Sequence, residues 1–485
     1  VRLLTRDEYR NSVQDVLGVQ LNSELIPADT IDLEFRYPGL ADLGVINKAN
    51  VGLYYELAVR VARQVDVQQL GFQQGGDNKA FVESLGRRLY RNRLPAEQSA
   101  DMVAYLQEHG PNDLVAAMLV SPYFLYRSEL GDDSEGGLFR LTQSEIATLL
   151  SFGFLGTTPS VDLMDKAEAG LLDTPDAIQA EVENMLSTER GQEQFARFVR
   201  YYDKSYKVVG DKPGLDDPTI ADMRRELDTF SKQLIAKPTA TMNELFNPGY
   251  TFLNERLARH YGVNGVSGEA MQRDNVDRTR GGLLHMGIMH VSNSDNTATS
   301  LVKRGKMLRK QMFCKTVGAG TGLDPEDVTF PTEPYTTRTY WTLITGEHAS
   351  SGQCWGCHVY MNYGGASFEN YAADGRYRIV EKAYNNASVN VPIDASGVLA
   401  DNTGLANWMS FEDARDISEH MPENADARDC LARSYYGYVQ GEQPTAGGRQ
   451  TVKAMSQDLA AGGLLHKMLA TLATSDALLY RKEGD

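Results

Sequence analysis

The chain has 485 residues, 42% hydrophobic and 23% charged, which are globular values at a length too great for one compact core and which exclude a disordered or fibrous protein. A net charge of −17 opposes phosphate backbones and anionic lipid, so nucleic-acid and membrane-surface binding are excluded as main roles. No stretch approaches the roughly eighteen apolar residues of a membrane span, and Val1 to Arg6 lack the apolar core of a signal peptide, as expected of a processed chain.

In chain order, Thr5-Arg-Asp-Glu8 is a capping box before Tyr9, Val13, Val16 and Leu17, which predicts a first helix that ends at Gly18. Lys79 to Glu129 reads as helices broken at Leu94-Pro95 and at the Gly110-Pro-Asn-Asp113 turn. Thr142-Gln-Ser-Glu145 repeats the capping box, so a new module begins near residue 138. Ser121-Pro-Tyr-Phe-Leu-Tyr-Arg-Ser-Glu129 is echoed by Ser475-Asp-Ala-Leu-Leu-Tyr-Arg-Lys-Glu483, each after a segment through Pro95 or Pro444, which predicts a duplicated helical hairpin. Thr174 to Leu257 stays helical, with Ile178, Val182, Met185 and Leu186 on one face and Phe195, Phe198, Val199 and Tyr202 on another. From Arg280 the texture changes, and Gly-, Thr- and Asn-rich stretches, Gly364-Gly365 among them, are expected to separate short helices.

Four cysteines are too few for a disulfide scaffold. Cys314 and Cys430 are either separate buried thiols or a disulfide that closes a long loop. Cys354-Trp-Gly-Cys357-His358 is the C-x-x-C-H signal of c-type haem attachment, in which two thiols one helical turn apart meet the same porphyrin edge and the adjacent imidazole is the proximal iron ligand. Zinc needs a second ligand pair that the sequence does not offer, and a thioredoxin-like site needs a preceding strand where Ala349 to Gln353 reads as a polar loop. His348 and then His290 are the expected distal iron ligands, with His285, Met289 and Met409 as further candidates. Arg376 and Arg378 are expected either to pair with haem propionates or to form surface salt bridges.

These residues resemble a multi-module family of unknown function first noted in planctomycetes and found also in proteobacteria, its members called planctomycete cytochrome-associated proteins. The resemblance runs through Arg2 to Gly18, Gly86-Arg-Arg-Leu-Tyr-Arg91 with Val120 to Arg127, Arg140 to Ala147 with Phe252 to Gly262, and Arg280-Gly-Gly-Leu-Leu284 with Lys303-Arg-Gly305. It continues through Glu369-Asn-Tyr371, Asp374 to Arg378, the Asp394-Ala-Ser-Gly397 turn, Cys430 and Tyr436-Gly-Tyr438. The family often has Asp-Pro after the attachment histidine, whereas this chain has Asn362-Tyr363, so a different loop beside the haem is expected. The resemblance implies a secreted or periplasmic haem-linked protein and assigns no reaction.

The expected fold class is mainly α, a multi-module helical scaffold with a loop-rich c-type haem module. Its expected parts are an N-terminal helical module over 1–70, a helical hairpin over 77–131, a central helical module over 138–265, the haem-attachment module over 278–380, and a C-terminal helical module over 395–485 that resembles 77–131. The leading functional reading is electron transfer by one covalent haem c in the periplasm or at the cell surface, toward a redox partner protein. The alternatives are a peroxidase or oxidase with an open distal site, and a structural or surface-assembly protein with embedded haem, in which an oligomer or surface assembly forms.

Overall fold

Local signals in the sequence place the first helices. In the computed structural model, the Thr5 hydroxyl accepts from the Glu8 N–H while the Glu8 carboxylate accepts from the Thr5 N–H at 2.8 Å, the two halves of a capping box. The structure describes all residues except 32–36, 40–43, 136, 209, 211, 213, 318–327, 347–351, 402–403 and 483–485, and only the backbone of 48–49, 133–135, 352–357, 400–401 and 404–408. The fold is mainly α, and the sheets among the described residues have two or three short strands.

From the N-terminus run β1 (Arg2–Leu3), α1 (Arg6–Leu17), α2 (Lys48–Ala62), α3 (Asn78–Tyr90), α4 (Ala96–His109), α5 (Pro111–Val120), α6 (Pro122–Leu125) and β2 (Tyr126–Arg127). Tyr9 and Val13 of α1 are buried with Val82, Leu85, Leu119 and Phe124, because the apolar positions of each helix recur on one face. Next come β3 (Asp133–Glu135), β4 (Leu138–Arg140), α7 (Gln143–Leu155), α8 (Val161–Glu168), α9 (Pro175–Ser187) and α10 (Glu189–Tyr202), with Thr142 and Glu145 forming the second capping box.

The chain continues through α11 (Asp217–Ile235), α12 (Met242–Phe246), β5 (Tyr250–Leu253), α13 (Glu255–Tyr261), β6 (Gln272–Asn275), α14 (Gly287–Ser292), α15 (Leu301–Met307), α16 (Thr337–Thr345) and α17 (Gly352–Ala366). Two antiparallel hairpins follow, β7 (Val380–Ala383) with β8 (Asn386–Pro392) and β9 (Gly397–Asp401) with β10 (Gly404–Phe411), and then α18 (Ala414–His420). The sequence analysis marked only the Asp394–Gly397 turn in this stretch. The last elements are α19 (Ala425–Gln440), α20 (Ala446–Ala460), α21 (Leu465–Ala473), α22 (Asp476–Leu479) and β11 (Tyr480–Lys482).

These elements form two compact units, one of residues Val1–Gln194, Tyr435–Ala454 and Leu469–Asp485, the other of Phe195–Ser434 and Met455–Met468. Within the first unit a pattern occurs twice. The Leu4 N–H donates to the Leu125 carbonyl at 2.8 Å where β1 meets β2, and the Leu141 N–H donates to the Leu479 carbonyl at 2.9 Å where β4 meets β11. Each strand pair leads into a capping-box helix, and each partner strand ends a helical hairpin whose first turn passes through a left-handed residue, Arg91 at φ 60° or Gly441 at φ 69°.

In the second unit, Gly364 and Gly365 do not separate helices, as the sequence analysis expected, but lie inside α17. Their lack of side chains serves packing. A Cβ on Gly365 would lie 1.9 Å from the Leu301 carbonyl oxygen, and one on Gly305 of α15 would lie 1.8 Å from the Met361 carbonyl oxygen, so the two helices meet backbone to backbone. Cys314 and Cys430 form a disulfide with Cα atoms 5.2 Å apart, which decides between the two readings left open above.

Gly365→Ala is expected to lower stability by about 1–3 kcal/mol through overpacking. Gly447→Ala, at a helical glycine with open space around its missing Cβ, should leave stability unchanged or raise it. Urea denaturation midpoints of the two variants check this, and equal midpoints would remove the packing argument.

Candidate functional site

Helix α17 carries the Cys354, Cys357 and His358 positions, so its backbone sets the two cysteines one turn apart with the histidine next in line. The side chains of Cys354 and Cys357 lie outside the described residues, and so does His348. His358 is half-buried, and its Nδ1 lies 3.3 Å from Asn362 Oδ1, one turn further along the helix.

A chain of hydrogen bonds fixes which nitrogen of His358 carries the proton. The Trp341 carbonyl can only accept, so the Thr345 hydroxyl donates to it at 2.6 Å. The Thr345 oxygen therefore accepts, and Asn362 Nδ2 donates to it at 2.7 Å. That orientation turns Asn362 Oδ1 toward His358, whose Nδ1 must then be the protonated nitrogen. Nε2 has no hydrogen-bond partner among the described residues. Asn362 and Thr345 are themselves buried, so water does not compete for this chain.

The far end of α17 is fixed by Arg304 of α15, which is fully buried. Its Nη1 donates to the Phe368 and Tyr371 carbonyls at 2.7 and 2.6 Å, and its Nη2 donates to Ser294 Oγ at 2.9 Å and to the Ala372 carbonyl at 3.0 Å. Glu369 Oε1 lies 3.8 Å from the same guanidinium, and Glu369 Oε2 accepts from Thr299 Oγ1 at 2.7 Å. Burial pushes the Glu369 carboxyl up, against the pull of Arg304 and Arg378.

The predicted site residues take different places around this frame. Arg378 reaches Glu369 at 3.4 Å and Glu381 at 3.3 Å, while the exposed Arg376 pairs with Asp374 at 2.6 Å. Met289 and His290 of α14 are buried, and Met409 of β10 is half-buried. The His290 ring stacks on Tyr371 with centroids 4.0 Å apart and planes 8° apart. Burial, with Arg304 and Arg280 nearby, holds His290 well below the ordinary histidine range.

His285 is tied by both nitrogens. The Tyr371 hydroxyl donates to the Thr279 carbonyl at 2.9 Å, so His285 Nδ1 is the donor toward the phenol oxygen at 2.6 Å. Ser418 Oγ then donates to Nε2 at 2.9 Å, and the ring is neutral. Burial and the neighbouring Arg280 bring its pKa down to about 3.

Sequence reasoning missed Asn362, Thr345 and Arg304 as parts of the site. The four-residue spacing from His358 to Asn362 was a usable signal, but only once Asn362-Tyr363 was read as helix, where a different loop was expected. Among the described side chains, which exclude those of Cys354 and Cys357, no three His, Cys, Asp or Glu side chains group to hold a metal ion.

Three family models match the chain in tandem. They are PSD3, a protein of unknown function (DUF1587), over residues 2–67; PSD4, a protein of unknown function (DUF1592), over 141–263; and PSCyt3, a protein of unknown function (DUF1588), over 280–381. The chain belongs to this multi-module family of unknown function. The PSCyt3 match contains α15, α16 and α17, and with them Arg304, Cys354, Cys357, His358 and Asn362. No curated protein matches the chain, and no solved structure does. Among the described residues no helix is long and apolar enough to cross a membrane.

A histidine whose folded pKa is depressed contributes stability above its unfolded pKa of about 6.5 and loses it as the pH falls toward the folded value. Stability is therefore expected to fall below pH 6.5, with His285 contributing down to about pH 3. His290→Phe keeps the ring stack and removes one buried base, so its urea stability should fall less steeply, by up to about 1.4 kcal/mol per pH unit. Parallel pH profiles for the two proteins would show that His290 is not held neutral by the fold.

Proposed function

We propose that the chain carries one covalent haem c on Cys354 and Cys357, with His358 as the proximal iron ligand, and serves electron transfer in the periplasm or at the cell surface. The observation that carries this reading is the proton position on His358: Trp341, Thr345 and Asn362 in turn hold the hydrogen on Nδ1 and leave Nε2 free to bind a metal. A bound haem would supply one-electron chemistry. The chain's own residues orient the imidazole, hold its proton and keep water from the Asn362–Thr345 contact.

Other features support the same reading. The C-x-x-C-H spacing falls on a helix, as the attachment chemistry needs. The family model over 280–381 bears a name with a cytochrome label, PSCyt3. The Cys314–Cys430 disulfide fits an oxidising compartment. Arg376 and Arg378 are the proposed partners of the haem propionates, each already oriented by an acid of its own. His348 is the proposed distal ligand ahead of His290, whose ring is committed to the Tyr371 stack. The net charge of −17 favours a basic redox partner protein.

Pyridine haemochrome analysis of the purified protein should give a thioether-linked haem and a six-coordinate low-spin spectrum in both oxidation states. Asn362→Leu is expected to retain the haem while the midpoint potential rises, because His358 loses the acceptor that makes it electron-rich. Zinc in place of haem would overturn the proposal, and a high-spin spectrum that shifts with cyanide or peroxide would turn it toward a peroxidase or oxidase.

A further inference from the structure

The second unit has a cleft of about 330 Å³ whose lining includes Lys212, Asn296, Thr299, Thr337, Lys382 and Tyr384. That volume is at the lower end of the range for small-molecule sites, about 300–1,000 Å³. We propose that this cleft binds a planar, anionic aromatic electron carrier of the quinone or flavin class.

The planar character follows from Tyr384. This ring, 46% exposed, is one of four nearly parallel rings that close on one another. Tyr384 lies 4.0 Å from Tyr340 and 6.0 Å from Tyr335, and Phe330 lies 5.7 Å from Tyr340 and 6.3 Å from Tyr335, with all four interplanar angles between 12° and 19°. Offset stacking rewards another flat π-system, and parallel rings at the edge of a cleft present that geometry ready-made.

The negative charge follows from which cations of the wall are already matched. Arg378 and Glu381 pair with each other, and Asp374 is held by Arg376. Lys212 donates instead to two neutral carbonyls, those of Ser294 at 3.0 Å and Asp295 at 2.7 Å, and the nearby Asp295 carboxylate pairs with Lys303. The exposed Lys382 makes no ion pair among the described residues. Lys382 is thus an exposed cation in the cleft wall with no ion pair among the described residues, and the buried Lys212 adds a second positive charge that no carboxylate hydrogen-bonds among them, in a chain whose net charge is −17. The Asn296 amide supplies a donor for a ring oxygen, whereas the Thr299 and Thr337 hydroxyls already donate to Glu369 and Glu381 and offer only their oxygens.

The electron-carrier role rests on the haem reading above. Thr337 in the cleft wall is the first residue of α16, whose Tyr340 joins the ring cluster and whose Thr345 holds Asn362 and, through it, His358. One short helix therefore runs from the cleft to the proposed proximal ligand.

The test titrates riboflavin 5′-phosphate and anthraquinone-2,6-disulfonate into the full chain, following intrinsic fluorescence and calorimetric heat. Saturable one-site binding is expected, weakened roughly tenfold in Lys382→Glu, which is about 1.4 kcal/mol, and lost in Tyr384→Ala. Both changes are at exposed side chains, and circular dichroism verifies the fold. Unchanged affinity in both variants, or competition by a neutral cello-oligosaccharide, would overturn the assignment. Haemochrome analysis of the same sample separates the two readings: binding without haem sinks the haem reading and with it the carrier role, leaving the cleft as a site for a planar aromatic anion, whereas haem without binding sinks the cleft assignment alone.

Discussion

The second unit depends on the contact between α15 and α17. Gly305 and Gly365 let the two helices approach until a single methyl group would collide with a carbonyl, and that distance brings Arg304 to the end of α17. The last carbonyls of a helix have no partner within the helix. Arg304 donates to carbonyls in the turn just past that end and thereby fixes the direction in which α17 projects its other end, where Cys354, Cys357 and His358 lie. A buried guanidinium is costly unless most of its donors are met, and the four contacts of Arg304 Nη1 and Nη2 exist only because the glycine contact brings it there.

Next to this frame is a layer of neutral polar groups. His285, Tyr371 and Ser418 satisfy one another in a single tautomeric arrangement, and His290 lies flat against Tyr371. Such networks are costly unless each member is met, and when met they select one packing over its alternatives. Around α17 the fold thus uses hydrogen bonds for orientation where much of the chain relies on apolar burial.

What the sequence disclosed was of short range. The capping boxes at Thr5 and Thr142, the glycine stop at Gly18 and the C-x-x-C-H spacing each involve residues within a few positions, and each signals its geometry directly. What it hid was of long range. Gly364-Gly365 read as a loop because two glycines disfavour helix locally, and only the approach of Gly305, about sixty residues earlier, makes helix the better state there. Lys303-Arg-Gly305 entered only through the family resemblance, since nothing nearby in the sequence announces the carbonyls that Arg304 meets. The β7–β10 hairpins escaped notice for a related reason: short, partly exposed strands such as β8 give weak alternation.

The doubled strand pairing has a consequence for the order of folding. β1 meets β2 across about 125 residues, so the first copy can close early as the chain is made. β4 meets β11 across about 340, and its partner is among the last residues described. Closing the larger loop is entropically harder and must wait until Tyr480–Lys482 have been made. The segment with Cys354, Cys357 and His358 lies inside that last-closed loop, and inside the smaller ring sealed by Cys314 and Cys430. Cys354, Cys357 and His358 thus belong to a segment that is enclosed only once both closures are made.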